Sequence, residues 1–295
     1  MLRICWLFVA PADEPLGGYN ARMEEALRGV AVERVQHGVR TAGTDRVATE
    51  EPLEIRLHGR PFAVIMRTPG ADRELAAGFL LAERVLLGPD DLGTIEYCAD
   101  PSAEHPENVI NATVATQSAD RLEQIFAGRR QVTTTSACGL CGRLTIESLR
   151  ADAPALSSTW KVERSTLLKV PGQLRAAQRV FDETGGLHAA GLFTRDGRLD
   201  VLAEDVGRHN AVDKVIGRML MQDRLPLREH LLCVSGRTSF ELVQKAFLAG
   251  IPIVAAVSAP SSLAIELAQE CNVTLVGFLR GESFNVYAHS ERISV

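Results

Sequence analysis

Residues 133–143 read TTTSACGLCGR, which sets Cys138 and Cys141 three apart with a glycine after each. Three chemistries use such a pair: a redox dithiol, half of a zinc site, or a thiol that carries a transferable group. A thioredoxin-type dithiol opens a helix, whose N-terminus lowers the pKa of the first thiol. Here the preceding run is β-branched and polar, and Gly139 and Gly142 each disfavour a helix by about 1 kcal/mol relative to alanine, so the pair belongs on a mobile loop. Zinc needs further ligands, and the sequence offers Cys98 and His105, loosely set beside Pro101 and Pro106, with no second C-x-x-C. A purely structural pair sits poorly with two flanking glycines, which argue for exposure. A carrier thiol fits these residues best: on a tether it can reach a donor and an acceptor on different surfaces. Arg129, Arg130 or Arg143 nearby would raise the thiolate fraction of a cysteine whose ordinary pKa is ~8.5.

A second set of polar residues gathers at three strand-to-helix joins, EDVGRHN (204–210), SGRTS (235–239) and SAPSS (258–262). In an open parallel sheet ligands bind beyond the carboxyl ends of the strands, where helix N-termini present free N–H groups and a positive dipole end. Arg208 and Arg237, among Ser, Thr and Gly, suit phosphate oxygens, and Asp205 suits a base or a sugar hydroxyl. Ser235, Thr238 and Ser261 can instead simply cap helices, worth ~1 kcal/mol each. The stretch GFLRGESFNVY (277–287) adds Arg280 just past the last parallel strand, on the same side. No G-x-G-x-x-G or Walker motif is present, so a phosphorylated or dinucleotide ligand rests on these joins alone.

The elements that must position these residues divide into two halves. VATEEPLEIRLHGRPFAVIMRT (47–68) reads as a hairpin turning at His58-Gly59-Arg60. PGADRELAAGFLLAERVLLG is a helix stopping at Gly88, GTIEYCA and NVINATVAT are strands, and SADRLEQIFAGRR is a second helix. After the cysteine segment, the Pro/Ala/Ser-rich ADAPALSSTW is a connection between domains. A helix over RSTLLKVPGQLRAAQRVFDETG then leads to strand LHAAGLFT, the turn RDG and strand RLDVLAEDV. Helices NAVDKVIGRMLMQ, SFELVQKAFLAG and SLAIELAQEC alternate with strands HLLCVSG, IPIVAAVS and VTLVGFLRG, which should run parallel under helices on both faces. The expected fold is α/β. It has a smaller N-terminal α+β domain over 29–150 that ends in the mobile C-x-x-C loop, a C-terminal domain over 151–295, and a disordered extension over 1–28.

That C-terminal order resembles the cytidine-deaminase-like fold. Zinc deaminases need H-x-E at the second helix and P-C-x-x-C at the third. Here those starts read GRHNAVDK and SGRTSFEL: His209 could pass for a ligand, but no Glu stands two residues later and no cysteine opens the next helix. A metal-dependent deaminase is therefore not expected.

Bulk properties narrow the partners. The 295 residues carry a net charge of −5, so no global field draws the chain to nucleic acid, and a polyanion must be gripped locally. Apolar runs fall well short of the ~18 residues of a membrane span, and the short apolar stretch in MLRICWLFVAPADEP only faintly imitates a secretory signal. Cys233 and Cys271 lie in apolar periodic segments and read as small buried hydrophobes, while Cys5 and Cys98 are isolated. Six cysteines in so long a chain form no disulfide framework, which fits a reducing, cytoplasmic setting.

SACGLCG, FDETGGLHAAGLF, EDVGRHNAVDKVIG, SGRTSFELVQKA, GIPIVAAVSAPSSLAIELA and GFLRGESFNVY together resemble the formate dehydrogenase accessory sulfurtransferase family, FdhD, from about residue 47 to the end. The resemblance implies a protein that takes sulfur from a cysteine desulfurase as a persulfide. It would pass that sulfur to the molybdenum (or tungsten) bis(guanine dinucleotide) cofactor destined for formate dehydrogenase. It makes Cys138 the persulfide-bearing nucleophile and Cys141 a supporting or resolving thiol. It makes Phe278, Leu279, Arg280, Gly281, Glu282 and Ser283 the cofactor-binding segment, to which position in the sequence adds Asp205, Arg208, His209, Ser235 and Arg237. It also implies a homodimer with a deaminase-like C-terminal domain. The chain departs from the family pattern near Ala71, where an acidic residue or His is commoner, and at Glu83-Arg84, where Glu-Gly is commoner; both bear on partner contacts. Two alternatives remain: a cofactor chaperone without chemistry of its own, and a zinc-dependent nucleotide enzyme of deaminase descent.

Overall fold

The computed structural model describes residues 24–100, 102, 104–115, 119–127 and 154–295. Strands β1 (Leu27–Gln36) and β2 (Val39–Ala48) form a hairpin, followed by β3 (Glu51–Leu57), β4 (Arg60–Arg67) and helix α1 (Asp72–Ala82). Then come β5 (Leu92–Tyr97), β6 (Val109–Val114) and α2 (Ala119–Ala127). From residue 154 onward the order begins β7 (Val162–Glu163), α3 (Arg164–Leu167), α4 (Val170–Ala177), α5 (Arg179–Thr184), β8 (His188–Phe193) and β9 (Leu199–Asp205). It continues α6 (Arg208–Met221), β10 (Leu231–Val234), α7 (Phe240–Leu248), β11 (Ile253–Ala256), α8 (Ser262–Glu270), β12 (Thr274–Arg280), β13 (Ser283–Ala288) and β14 (Ile293–Ser294).

Two mixed sheets organise these elements, one ordered β4-β3-β6-β5 and one ordered β13-β12-β11-β10-β8-β9. In the larger sheet β10, β11 and β12 run parallel, as their near-continuous apolar sequences suggest, and β8, β9 and β13 are joined antiparallel. Because β8 opposes both β9 and β10, the carboxyl ends of β9, β10, β11 and β12 emerge on one edge of the sheet together with the start of β8. Side chains alternate across the sheet: Leu232 and Val234 enter a core shared with α1, α6 and the smaller sheet, whereas Leu231 and Cys233 enter a second core with Trp160, Leu167 and Leu174. The first core contains Leu53, Ile55 and Ile110 beside Val212, Val254 and Leu275, so both halves of the chain build it.

Two contacts in particular bolt the halves together. Helices α1 and α6 touch backbone to backbone: a Cβ on Gly217 would lie 1.8 Å from the Glu74 carbonyl oxygen, and one on Gly78 would lie 2.0 Å from that of Asp213. The loop after β4 is tied to the loop after β9 by the fully buried Asp205 carboxylate. It accepts from the Thr68 N–H (3.1 Å), the Gly207 N–H (2.7 Å) and Asn210 Nδ2 (2.8 Å) and pairs with Lys214 Nζ at 2.7 Å. Lys214 also donates to the Thr68 carbonyl (2.7 Å), and the Thr68 hydroxyl accepts from the Val206 N–H (3.1 Å).

Several boundaries differ from the sequence reading. The hairpin at His58-Gly59 forms with both residues at positive φ (51° and 78°), as a two-residue primed turn requires. The β1–β2 hairpin had no expected counterpart, and it overlaps the proposed extension at Leu27; its strands are mostly exposed on both faces and so lack an apolar period. α1 ends at Ala82 rather than at Gly88, because Arg84 takes the left-handed conformation (φ 59°) that reverses the chain. The long helix expected over 164–185 is three short ones, the last two separated where Gln178 leaves helical geometry (φ −81°, ψ 82°).

Gly217→Ala should push α1 and α6 apart and cost roughly 3 kcal/mol of unfolding free energy, read as a lower urea midpoint. Lys214→Met leaves the Asp205 carboxylate buried and unpaired, so a loss of about 3–5 kcal/mol is expected, read in the same titration.

Candidate functional site

The three strand-to-helix joins converge at the carboxyl edge of the larger sheet. The second and third are laced together: the Thr238 N–H donates to the Ala259 carbonyl (3.2 Å) and the Ser261 N–H to the Thr238 carbonyl (3.0 Å). The β12–β13 hairpin joins them through the Phe278 N–H, which donates to the Ser258 carbonyl at 3.1 Å. Phe278 holds φ 53°, a conformation costly for a bulky side chain, within an irregular stretch of the β12–β13 pairing. Its ring lies 5.5 Å from the Arg280 guanidinium. A cavity of about 720 Å³ opens at this edge, lined by His188, Ser235, Val257, Leu279, Arg280 and Gly281, with α4 and α5 forming its far wall.

The electrostatics of this edge are positive. Arg208 is half-buried, its Nε is buried without a hydrogen-bond partner, and Arg237 and Arg280 are exposed; none of the three meets a carboxylate among the described residues. His188, half-buried at the start of β8, is held below the ordinary histidine range by burial first and then by Arg208, with Asp205 opposing. It therefore stands neutral near pH 7 beside the guanidiniums. Gly236 allows this approach: a Cβ there would lie 3.2 Å from His188 Nδ1. The Thr238 hydroxyl is also buried without a partner. The exposed Arg280 guanidinium and a neutral imidazole on an open cavity, with Arg208 and Arg237 within electrostatic reach of that imidazole, are suited to phosphate oxygens or another polyanion.

The other expected site residues divide by role. Ser235 extends the β8–β10 pairing, its hydroxyl accepting from the Ala189 N–H at 2.9 Å, and it lines the cavity. Ser261 caps α8 by accepting from the Ala264 N–H at 3.3 Å, and Ser239 rather than Thr238 occupies the N-cap of α7. His209 is buried, its Nε2 lying 3.0 Å from the Ser239 hydroxyl and 2.9 Å from Glu241, so its imidazole is committed between α6 and α7. Asp205 corrects the expectation that it faces a base or sugar hydroxyl: all its exposure is lost to the seam described above, and it positions Gly207 and Arg208 instead. Leu279 is buried with its side chain in the second core, while Glu282 and Ser283 stand exposed on the hairpin, where the Glu282 carbonyl accepts from Arg164 at 3.0 Å.

His188 was missed in the sequence, although a polar residue opening an otherwise apolar strand after Gly185-Gly186 marks the carboxyl edge once the β8–β9 pairing puts it opposite Asp205. Glu204 was likewise missed; its carboxylate accepts from the Val180 and Phe181 N–H groups (3.0 and 2.8 Å) and fixes α5 over the cavity.

Cys138 and Cys141 lie outside the described residues, as do Arg129, Arg130 and Arg143. Of the described cysteines, Cys233 and Cys271 are buried, with thiols pushed up to about 12 and about 11 by burial, as befits inert packing groups. Cys98 is half-buried, and His105 faces Glu107 at 3.2 Å; among the described residues no three His, Cys, Asp or Glu side chains gather as a metal site. Among them, too, no helix is long and apolar enough to cross a membrane.

Known proteins resemble this chain over most of its length. A sulfur carrier protein FdhD from Streptomyces coelicolor is 51% identical over 269 residues, 89% of this chain and 94% of that protein. One from Anaeromyxobacter sp. (strain K) is 47% identical over 284 residues, 94% and 98% of the two chains. A crystal structure described as a formate dehydrogenase accessory protein from Desulfotalea psychrophila superposes with a TM-score of 0.71 at 26% identity, covering 91% of this chain and all of that one. Residues 48–294 match the FdhD/NarQ family, and with half of its residues shared with such relatives the chain belongs to that family.

Proposed function

We propose that this protein carries sulfur to a guanine-dinucleotide form of the molybdenum or tungsten cofactor, for use by formate dehydrogenase. The observation that carries the reading is the carboxyl-edge cavity: Arg280 and a neutral His188 line a volume suited to a pyrophosphate-bearing ligand, Arg208 and Arg237 stand within electrostatic reach of that imidazole, and none of the three guanidiniums meets a carboxylate among the described residues, on a chain that is acidic overall. The names of the relatives and the C-x-x-C pair supply the chemistry. A cysteine desulfurase presents a persulfide; the Cys138 thiolate attacks its outer sulfur, and the donor cysteine leaves as a thiolate, so the exchange needs no oxidant. Attack by Cys141 on the Cys138 sulfur then releases the outer sulfur as sulfide toward the metal and leaves a Cys138–Cys141 disulfide, which a thiol reductant returns to the dithiol. The C-terminal domain is read as deaminase-like in fold, the working unit as a cytoplasmic homodimer, and the acceptor cofactor as cargo rather than a resident group.

A cofactor chaperone without sulfur chemistry would use the same cavity, since every described residue lining it is thiol-free. The two readings separate at the cysteines: a chaperone keeps its effect on formate dehydrogenase when both become serine, and a sulfur carrier loses it.

Three outcomes are expected. After incubation with a desulfurase and cysteine, mass spectrometry should find one added sulfur on the wild-type chain and none on Cys138→Ala; sulfur retained elsewhere within 133–143 in that variant displaces Cys138 from its role. Arg208→Ala, Arg237→Ala and Arg280→Ala should each weaken GDP binding by roughly 10–100-fold, the scale of a charge-assisted hydrogen bond of about 1.5–3 kcal/mol; unchanged affinity in all three rejects the site. Because His188 is depressed in the free protein and an anion favours its protonated form, GDP affinity should strengthen as pH falls from 8 to 6. That slope should flatten in His188→Gln, measured by calorimetry.

A further inference from the structure

At the opposite edge of the larger sheet, where β10 and β11 begin and β8 turns into β9, two adjoining hollows of about 410 and 300 Å³ share Pro154, Leu156, Arg228 and Gly250 and so form one groove. One end of the groove is aliphatic, with Leu86, Leu87, Pro226 and Leu248 in its lining and Leu87 54% exposed. Arginines punctuate its length: Arg84 at the aliphatic end, Arg228 at the junction and Arg195 at the polar end. Among the described residues, of these three arginines only Arg195 has a carboxylate neighbour, the exposed Glu229 at 3.5 Å. The Trp160 indole lines the polar end, and its buried Nε1 has no hydrogen-bond partner. Arg84 holds φ 59°, a conformation that glycine adopts without strain, yet the position carries a long cation directed to the groove lining.

Aliphatic surface bordered by Arg84 and Arg228, which meet no carboxylate among the described residues, complements a segment that carries an aliphatic anchor flanked by carboxylates. The groove also contains Pro154, the first described residue after the cysteine-bearing part of the chain. The geometry points to this groove as the docking surface for an acidic, aliphatic-anchored segment of the protein that loads the thiols with sulfur. The inference rests on the sulfur-carrier reading and adds a division of labour to it: donor at one edge of the sheet, nucleotide-bearing acceptor at the other.

The full-length chain and its Arg84→Gly/Arg228→Glu double variant are titrated with a cysteine desulfurase, and persulfide formation is followed with two donors, desulfurase plus cysteine and a low-molecular-weight polysulfide. Glycine suits the left-handed backbone at 84, and Arg228 is exposed, so the unfolding temperature and GDP affinity should hold. The double variant should bind the desulfurase at least tenfold more weakly, and more weakly still against wild type at low salt, with slower loading from it and unchanged loading from polysulfide. Wild-type desulfurase affinity in the double variant overturns the proposal while leaving sulfur carriage intact. So does lost self-association with desulfurase affinity retained, which assigns the groove to a second copy of the chain. A wild-type chain that takes up sulfur from neither donor removes the carrier reading and the docking proposal with it. If the double variant does not fold, Arg228→Ala alone decides: a clear loss of desulfurase affinity supports the groove and no change overturns it.

Discussion

The buried pair of Asp205 and Lys214 is the constraint on which the rest of the architecture leans. A carboxylate without any exposure is tolerable only because an ammonium and three N–H donors surround it; one of those four partners, Gly207, belongs to the loop where it sits, and two, Asn210 and Lys214, to the helix α6 that follows. Its remaining amide partner, Thr68, comes from the other half of the chain. The pair therefore does two things at once: it sets the path of the backbone into α6, which determines where the Arg208 guanidinium stands, and it locks that path to the N-terminal sheet. Displacing either partner would disturb the anion-facing edge without touching any residue that lines it.

That edge works against the charge of the molecule as a whole. With net charge −5, attraction of a phosphorylated ligand cannot come from a long-range field, since the Debye length is about 8 Å at physiological salt. For the ligand proposed above it would come from cations that meet no carboxylate among the described residues and from the start of α6, an ordinary source of anion affinity at short range. His188, held below the ordinary histidine range by burial and by Arg208, would take up a proton more readily once negative charge arrives. The groove at the far edge follows the same logic with different residues, so the sheet presents two separated basic surfaces on an acidic body.

Much of this was legible in the sequence, for physical reasons that also explain the failures. The strands β10, β11 and β12 announce themselves because burial on both faces leaves continuous aliphatic runs, and the joins that follow them were identifiable from their Ser, Thr, Gly and Arg content. The β1–β2 hairpin was invisible because two solvated faces impose no period. Asp205 was misread because a sequence shows that a carboxylate stands near a ligand edge but not which way it points; its amide partner Thr68 is 137 residues away. His188 needed the β8–β9 register, which pairs it with Asp205, before its place at the edge could be seen. Arg84 illustrates a third limit: a non-glycine residue in left-handed geometry breaks the local rule that would have ended α1 at a glycine.

The backbone contact between α1 and α6 has a consequence for how the protein is made. α1 is complete when Ala82 has been added, yet the helix that covers its glycine face does not begin until Arg208. At ordinary elongation rates of about 5–20 residues per second, roughly 6–25 s separate the two events. Through that interval the nascent chain presents Leu75, Leu80 and the apolar side of the first sheet to whatever is nearby, which makes the ribosome-bound intermediate a natural client for a chaperone that holds aliphatic surface until synthesis catches up.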